Sequence, residues 1–359
     1  METMYVPAAD TIPVAWGWFQ FFLLLTFPLH LLTMNAMLGG LAVGVSQHFL
    51  GGAVRQRLAH RLALVLPLVI AFVVNLGVAP LLFLQVLYGQ FVYTSSILMG
   101  MFWIAIVPIL IVAYYGAYLY DFRFSRLGAL GKWVGLAVLV MLLVVAYFFV
   151  NNMLLMSLPE QFNRYFEHRS GTLLASGQAV FLPRYLHMIT GALAVGGLFV
   201  ALVGRYRGGA DDELAIHARL VGMRVFFLLT LVNVGFGVWY LISQPRDTML
   251  LFMGGNPLAT AVFILALVLV AAVLVTAYRQ QLGLTVAGVV VLVYLMSFMR
   301  AWLRSDYLEQ VFRLDQLQVV PQYSPLLFFL VTLLIGITVI YWLLRKTLEA
   351  LRDSGATHS

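Results

Sequence analysis

Long apolar stretches alternate with short polar segments along almost the whole chain. Most of these stretches hold twenty or more residues with few charges, which is the length that an α-helix needs to cross the hydrocarbon core of a bilayer. The pattern therefore predicts an all-α, polytopic membrane helical bundle of about nine transmembrane helices. Their predicted ranges are 14–48, 61–91, 96–121, 129–157, 179–204, 216–243, 257–278, 282–303 and 324–345.

Two of the predicted helices carry similar sequences. "LHLLTMNAMLGG" at 29–40 and "LHMITGALAVGG" at 186–197 share five of twelve positions, and the match extends to 74–77 against 232–235. The copies lie in the first and the fifth predicted helices. Because the second copy begins four spans after the first, an even number, both run in the same direction, which predicts two parallel four-helix repeats plus one helix. Gly40 and Gly44 form a small-residue pair, which predicts a close approach of another backbone or of a flat cofactor.

The repeat divides the chain into four predicted parts: 1–157, the first four-helix repeat; 158–178, an outer amphipathic loop; 179–303, the second four-helix repeat; and 304–359, an outer loop, the ninth helix and an inner tail. Both outer loops are predicted to lie along the membrane surface as amphipathic helices.

Composition supports a membrane protein, because 63% of the residues are hydrophobic and only 10% are charged. The absence of cysteine excludes disulfides, thiolate metal sites, iron–sulfur clusters and thioether-attached haem on this chain. Histidine and methionine remain as its soft ligands. Carboxylates are nearly absent from the predicted spans, which argues against a proton pump or a channel with an acidic filter.

The net charge of +7 has a topological explanation. If the amino terminus faces outward, the inner loops and the carboxyl tail collect 14 of the 21 lysines and arginines, as the positive-inside rule requires. We therefore predict an outside amino terminus, an inside carboxyl terminus and contact with membrane lipid, and no nucleic-acid partner.

His30 and His187 occupy the same position of the two repeats, deep within apolar sequence. A histidine in a membrane span is expensive and usually functional, and repetition at equal depth favours a ligand role over ordinary helix packing. The repeated pair His60 and His217 lies beside basic residues at the predicted inner side, where solvated histidines are common.

Histidine and methionine in an apolar bundle are the usual ligands of non-covalent haem b, and we predict one or more such haems held by the iron ligands His30 and His187. Met253 or Met249 is a candidate sixth ligand beside His187, and Met99 is the repeat counterpart; the alternative for each methionine is packing in the core.

Three arginines near the predicted outer boundary are candidates for pairing with haem propionates. Arg184 stands one turn before His187, and Arg300 and Arg304 lie four residues apart on one helical face. Their alternative role is snorkelling from the helix ends to the membrane surface.

The sequence resembles subunit I of the cytochrome bd oxidase family. The similar segments are "FQFFLLLTFPLHLLTMNAMLGGLAVG" at 19–44, "LGVAPLLFLQVLYGQFVYTSS" at 76–96 and "FLPRYLHMITGALAVGG" at 181–197. The resemblance implies that His30 ligates a haem at the oxygen-reducing site, and that His187 ligates the low-potential haem b with a methionine on helix seven. It also implies nine spans with an outside amino terminus, in the inner (cytoplasmic) membrane of a prokaryotic cell.

The chain departs from the family at the residues that serve oxygen chemistry. Gln85 stands where the family has a glutamate, and 299–301 reads Met-Arg-Ala where a haem-ligating carboxylate is expected. The quinol-binding loop is reduced to "SQPRDTMLLFMGGN", and the Gly-Arg-Gln-Pro-Trp motif is absent.

These departures favour an electron-transfer subunit over an oxidase, since oxygen reduction needs a proton supply as well as a reactive haem. The leading hypothesis is a haem b subunit of a respiratory hetero-oligomeric complex. It would act as an oxidoreductase subunit that moves electrons between membrane quinol, such as menaquinol, and a cytochrome c or multihaem partner on the outer side. The alternatives are a bd-type quinol oxidase subunit and a haem-free structural or transport subunit.

Overall fold

The computed structural model describes residues 5–167, 169–207 and 212–356. His168, the short segment 208–211 and both chain ends lie outside this part. The described residues form nine long helices, which we label α1 Trp16–Leu50, α2 Ala53–Leu98, α3 Gly100–Phe122, α4 Gly131–Leu155, α5 Phe181–Arg207, α6 Asp212–Ile242, α7 Pro257–Tyr278, α8 Leu282–Leu308 and α9 Tyr323–Ala356.

All nine helices are long and apolar enough to cross a membrane. Among the described residues there is no strand, only an isolated bridge between Ile12 and Val319. The predicted fold class, an all-α polytopic membrane bundle, is confirmed.

The helix boundaries differ from the prediction most at α2, which runs over Ala53–Leu98 instead of 61–91. Its first two turns are basic and polar, so a search for apolar windows leaves them out although they continue the same helix. The helix contains Pro67 and Pro80, and it kinks at Tyr88, whose φ is −135° and ψ is 32°. Proline removes a backbone donor and bends a helix without ending it when other helices pack around it.

The two segments predicted as surface helices have mostly irregular structure where they are described. The first contains a seven-residue 3-10 helix, Pro159–Tyr165, followed by turns. In the second, α8 continues to Leu308, and a three-residue 3-10 turn, Leu314–Gln316, follows.

We call the end of the bundle where α1 begins the N-terminal end. The even-numbered helices α2, α4, α6 and α8 end there, and the segment before α1 is fastened by backbone hydrogen bonds, Ile12 N to Gln318 O and Val320 N to Ile12 O, both 2.9 Å. A buried apolar cluster that includes Tyr88 and Phe91 fills the interior near this end. The connections α1–α2, α3–α4, α5–α6 and α7–α8 form the opposite end.

The backbones of α1 and α5 meet at Gly39 and Gly196. A Cβ atom on Gly39 would lie 2.6 Å from both Ala192 O and Gly196 Cα, and one on Gly196 would collide with Gly39. Gly40 and Gly44 instead face the side chains of Phe199 and Leu62, so the close backbone contact lies one residue earlier than the small-residue pair predicted. Gly39 and Gly196 occupy the same position in the two repeats. When a pseudo-two-fold axis runs between two parallel helices, equivalent residues of the two helices meet at the axis, as these glycines do.

Candidate functional site

His30 is held in the interior of α1 by a hydrogen bond to the neighbouring helix. Its Nδ1 lies 3.1 Å from the backbone oxygen of Val73 in α2. A carbonyl can only accept, so Nδ1 carries the proton and donates it, and Nε2 keeps its lone pair. Gly77, one turn further along α2, faces the ring, and a Cβ atom there would lie 2.8 Å from His30 Cε1.

His187 has the same arrangement in the second repeat. Its Nδ1 lies 3.2 Å from the backbone oxygen of Asn233 in α6, so it too donates from Nδ1 and leaves the Nε2 lone pair unprotonated. Gly237 faces this ring, and a Cβ atom there would lie 3.2 Å from His187 Cε1. In both repeats the hydrogen bond from Nδ1 orients the imidazole, and the facing glycine leaves room for the ring.

The two imidazoles lie at the same depth. Each histidine precedes the glycine of the α1–α5 crossing by nine residues, which corresponds to about 13.5 Å along a helix. Histidines that bind metals usually donate their other ring nitrogen to a carbonyl or carboxylate, because that bond fixes the tautomer and the direction of the lone pair. Both histidines therefore have the Nδ1 hydrogen bond that metal-binding histidines share.

The structure changes the alignment of the second helix of each repeat. The prediction paired 74–77 with 232–235, but the glycine that faces His187 is Gly237, while a Cβ atom on Gly235 would meet nothing within 4 Å. The equivalent of Gly77 is thus two residues further on. Apolar sequence supports several registers equally well, and only the contact with the histidine ring selects one.

The three predicted arginines come together near the N-terminal end, where Arg184, Arg300 and Arg304 line one small cavity with Tyr307. The Arg300 guanidinium lies 4.8 Å from the ring centre of Phe27, one turn before His30, and that of Arg304 lies 4.6 Å from the ring centre of Tyr88. Arg304 Nε is buried without a hydrogen-bond partner.

No ion pair found among the described residues joins any of these arginines to a carboxylate. Three half-buried cations gathered in an apolar bundle without an acidic partner are costly, since each loses part of its hydration and the aromatic rings beside Arg300 and Arg304 replace only some of it. The cluster has the charge and position to receive an anionic group beside His30.

The structure places the three methionines in different environments. Met99 is fully buried at the junction of α2 and α3, and Met249 is half-buried. Met253 lies in a five-residue π-helical turn, Leu251–Gly255, with its side chain 56% exposed. Met99 and Met253 thus have opposite exposure, and the sixth ligand of His187 stays a prediction.

Sequence reasoning missed a series of hydrogen-bonded polar residues beside His187. The ring of Tyr240 stacks on His187, with centroids 6.4 Å apart, and Tyr307 donates a hydrogen bond of 2.8 Å to Gln244, which in turn donates to the backbone oxygen of Tyr240. Helical spacing was the available signal, because Tyr240 follows Asn233 by two turns and Tyr307 follows Arg300 by two turns on the same faces. These hydrogen bonds link α6 and α8 next to His187.

The chain matches no protein-family model, and no curated protein is significantly similar to it.

Proposed function

We propose that this chain is a haem b-binding membrane subunit that moves electrons between membrane quinol, such as menaquinol, and a cytochrome c or multihaem partner on the outer side. One observation carries the proposal. His30 and His187, at equal depth in parallel helices, each donate Nδ1–H to a backbone carbonyl and keep the Nε2 lone pair. The retention of a costly intramembrane histidine at both equivalent positions favours a ligand role over ordinary packing.

The residues present suit haem b. His30 and His187 would hold the iron, since a neutral imidazole with a fixed tautomer is its common protein ligand. Gly77 and Gly237 let the α2 and α6 backbones approach the rings closely. When bound, haem b supplies a one-electron redox centre that the side chains of this chain cannot supply themselves.

The arginine cluster gives the site its charge. Arg184, Arg300 and Arg304 would pair with carboxylates of the bound group, because guanidinium forms two parallel hydrogen bonds with a carboxylate. Their position near the N-terminal end, which the positive-inside rule assigns to the outer surface, supports electron transfer to a partner on that side.

The same cluster argues against oxygen reduction by this chain. Arg300 occupies the region where the resemblance implies a carboxylate, and it lies over Phe27 beside His30. Gln85, on α2, replaces a second acid with a group that does not ionise. Reduction of oxygen to water consumes protons, and the two carboxylic acids that the resemblance implies for their delivery are replaced here by residues that are not acids.

The first experiment is a reduced-minus-oxidised absorption spectrum of the purified full chain, together with a pyridine haemochrome assay. We expect the bands of haem b. A protein that shows no haem b after expression with ample haem would overturn the proposal in favour of a haem-free subunit. Quinol-driven oxygen consumption by the purified chain would instead support the bd-type oxidase alternative.

A matched glycine pair tests the cradle of the imidazoles. We expect Gly77→Ala to displace the His30 ring, because the new Cβ lies 2.8 Å from Cε1, and to lower the haem content or shift the haem bands. Gly235→Ala in α6 is the control, since its Cβ meets nothing within 4 Å. Identical spectra for the two variants would contradict the assigned contact.

A further inference from the structure

A cleft opens at the opposite end of the bundle, where the α1–α2 and α3–α4 connections meet. Its volume is about 670 Å³, and its lining includes the cations Arg57 and Lys132 and the imidazoles of His48 and His60. It lies at the far end of α1 from His30 and His187, so it is separate from the proposed haem site.

The rim of the cleft is strongly basic. The segments 51–61 and 123–132 together hold six lysines and arginines and no aspartate or glutamate, and no carboxylate among the described residues lines the cleft. Within the described part of the chain, two acids lie close by: Asp121 is buried near His60, and Glu213 pairs with Arg57 at 2.7 Å between exposed side chains. Against six basic side chains, these two acids leave the described surroundings of the cleft with a net positive charge, so the cleft keeps a positive potential.

Aromatic and glycine residues shape the walls. His48 and His60 each stack on the ring of Phe124, with centroids 4.7 Å apart in both cases, and His48 Nδ1 lies 3.1 Å from the Tyr120 hydroxyl. Gly51 and Gly128, with φ of 68° and 51°, have open space where a Cβ atom would stand. The result is a pocket with aromatic walls in which the backbone at Gly51 and Gly128 remains accessible.

Exposed apolar side chains lie next to the basic rim of the cleft. Phe49, Leu50, Leu130 and Trp133 are all large and exposed, and the Lys132 ammonium lies 5.1 Å from the ring centre of Phe49. Tryptophan and cation-flanked apolar residues at the ends of membrane-spanning helices are typical of the headgroup level. A soluble anion would account for the cations but not for this adjoining apolar surface.

We propose that this cleft binds the phosphate headgroup of an anionic phospholipid, with the acyl chains lying against the exposed apolar residues beside it. Lys132 and Arg57 bind the phosphate, and the open backbone at Gly51 and Gly128 admits the headgroup. The positive-inside rule assigns this end to the inner side, where anionic lipids give the surface its negative potential. The proposal does not depend on haem.

The test compares phosphatidylglycerol with phosphatidylcholine on the purified full chain, with lipid retention measured by native mass spectrometry. We expect selective retention of phosphatidylglycerol. Retention should fall about fivefold in Lys132→Gln and further in the double variant with Arg57→Gln, since each cation near an anionic lipid surface strengthens binding by a similar amount. Lys132→Arg should retain the lipid. The matched control is Arg279→Gln, a cation at the same end that does not line the cleft.

Three outcomes would overturn the proposal: equal retention of the two lipids, equal loss in Lys132→Gln and Arg279→Gln, or no loss in the double variant. A binding measurement with inorganic phosphate distinguishes a lipid headgroup from a free anion. If millimolar phosphate binds the chain and phosphatidylglycerol does no better than phosphatidylcholine, the cleft is a site for free phosphate. Circular dichroism of each variant confirms that it is folded, and Lys132→Arg separates loss of charge from loss of fold.

Discussion

Replacing His187 with alanine is expected to remove roughly half of the haem b from the purified chain, because the substitution deletes one of the two imidazoles that we propose as ligands of separate haems. His30→Ala should remove the other half, and the double variant should contain no haem. The imidazoles are bonded to the backbone oxygens of Val73 and Asn233 in separate helix pairs, so the two losses should be independent. The measurement is haem content per chain by pyridine haemochrome, together with the reduced-minus-oxidised spectrum.

His217→Ala is the matched control for these variants. His217 bonds to the Gln47 side chain at 2.8 Å at the opposite end of the bundle, so its removal should leave the haem content unchanged. Added imidazole should restore part of the spectrum of His187→Ala, since it replaces the lost ligand without replacing any packing. Unchanged haem bands in the double variant would reject both ligands.

The second large effect is expected at the crossing of α1 and α5. Gly196→Val should destabilise the fold by about 3 kcal/mol or more, since overpacking that meets backbone cannot be relieved by a change of rotamer. The new Cβ would collide with Gly39. The same substitution on the other helix, Gly39→Val, would place a Cβ atom 2.6 Å from Ala192 O. Thermal unfolding of the purified variants in detergent measures the loss.

Gly336→Val in α9 provides the comparison, because a Cβ atom there meets nothing within 4 Å. It changes the same residue type in another membrane-spanning helix, so it accounts for the intrinsic helix propensity of valine. If Gly196→Val and Gly336→Val unfold at the same temperature, the two repeats do not pack through these glycines.

The sequence was sufficient for the nine-helix architecture, and it singled out His30 and His187, whose role as ligands stays a prediction. Nine apolar stretches predict nine helices because the thickness of the hydrocarbon core fixes the length of a span. A histidine among apolar residues is costly, so its repetition marks a position even without knowledge of its neighbours. The grouping of Arg184 with Arg300 and Arg304 was also predictable, since all three lie near helix ends on one predicted side.

Tertiary structure alone decided which surfaces of these helices meet. Gly39 rather than Gly40 forms the crossing, Gly237 rather than Gly235 faces His187, and Met253 is exposed whereas Met99 is buried. The cleft beside Lys132 brings together two connections that are far apart in sequence. Hydropathy fixes where a helix lies along the membrane normal, but its rotation about its own axis depends on side-chain fit with its neighbours, which a nearly uniform apolar sequence does not encode locally.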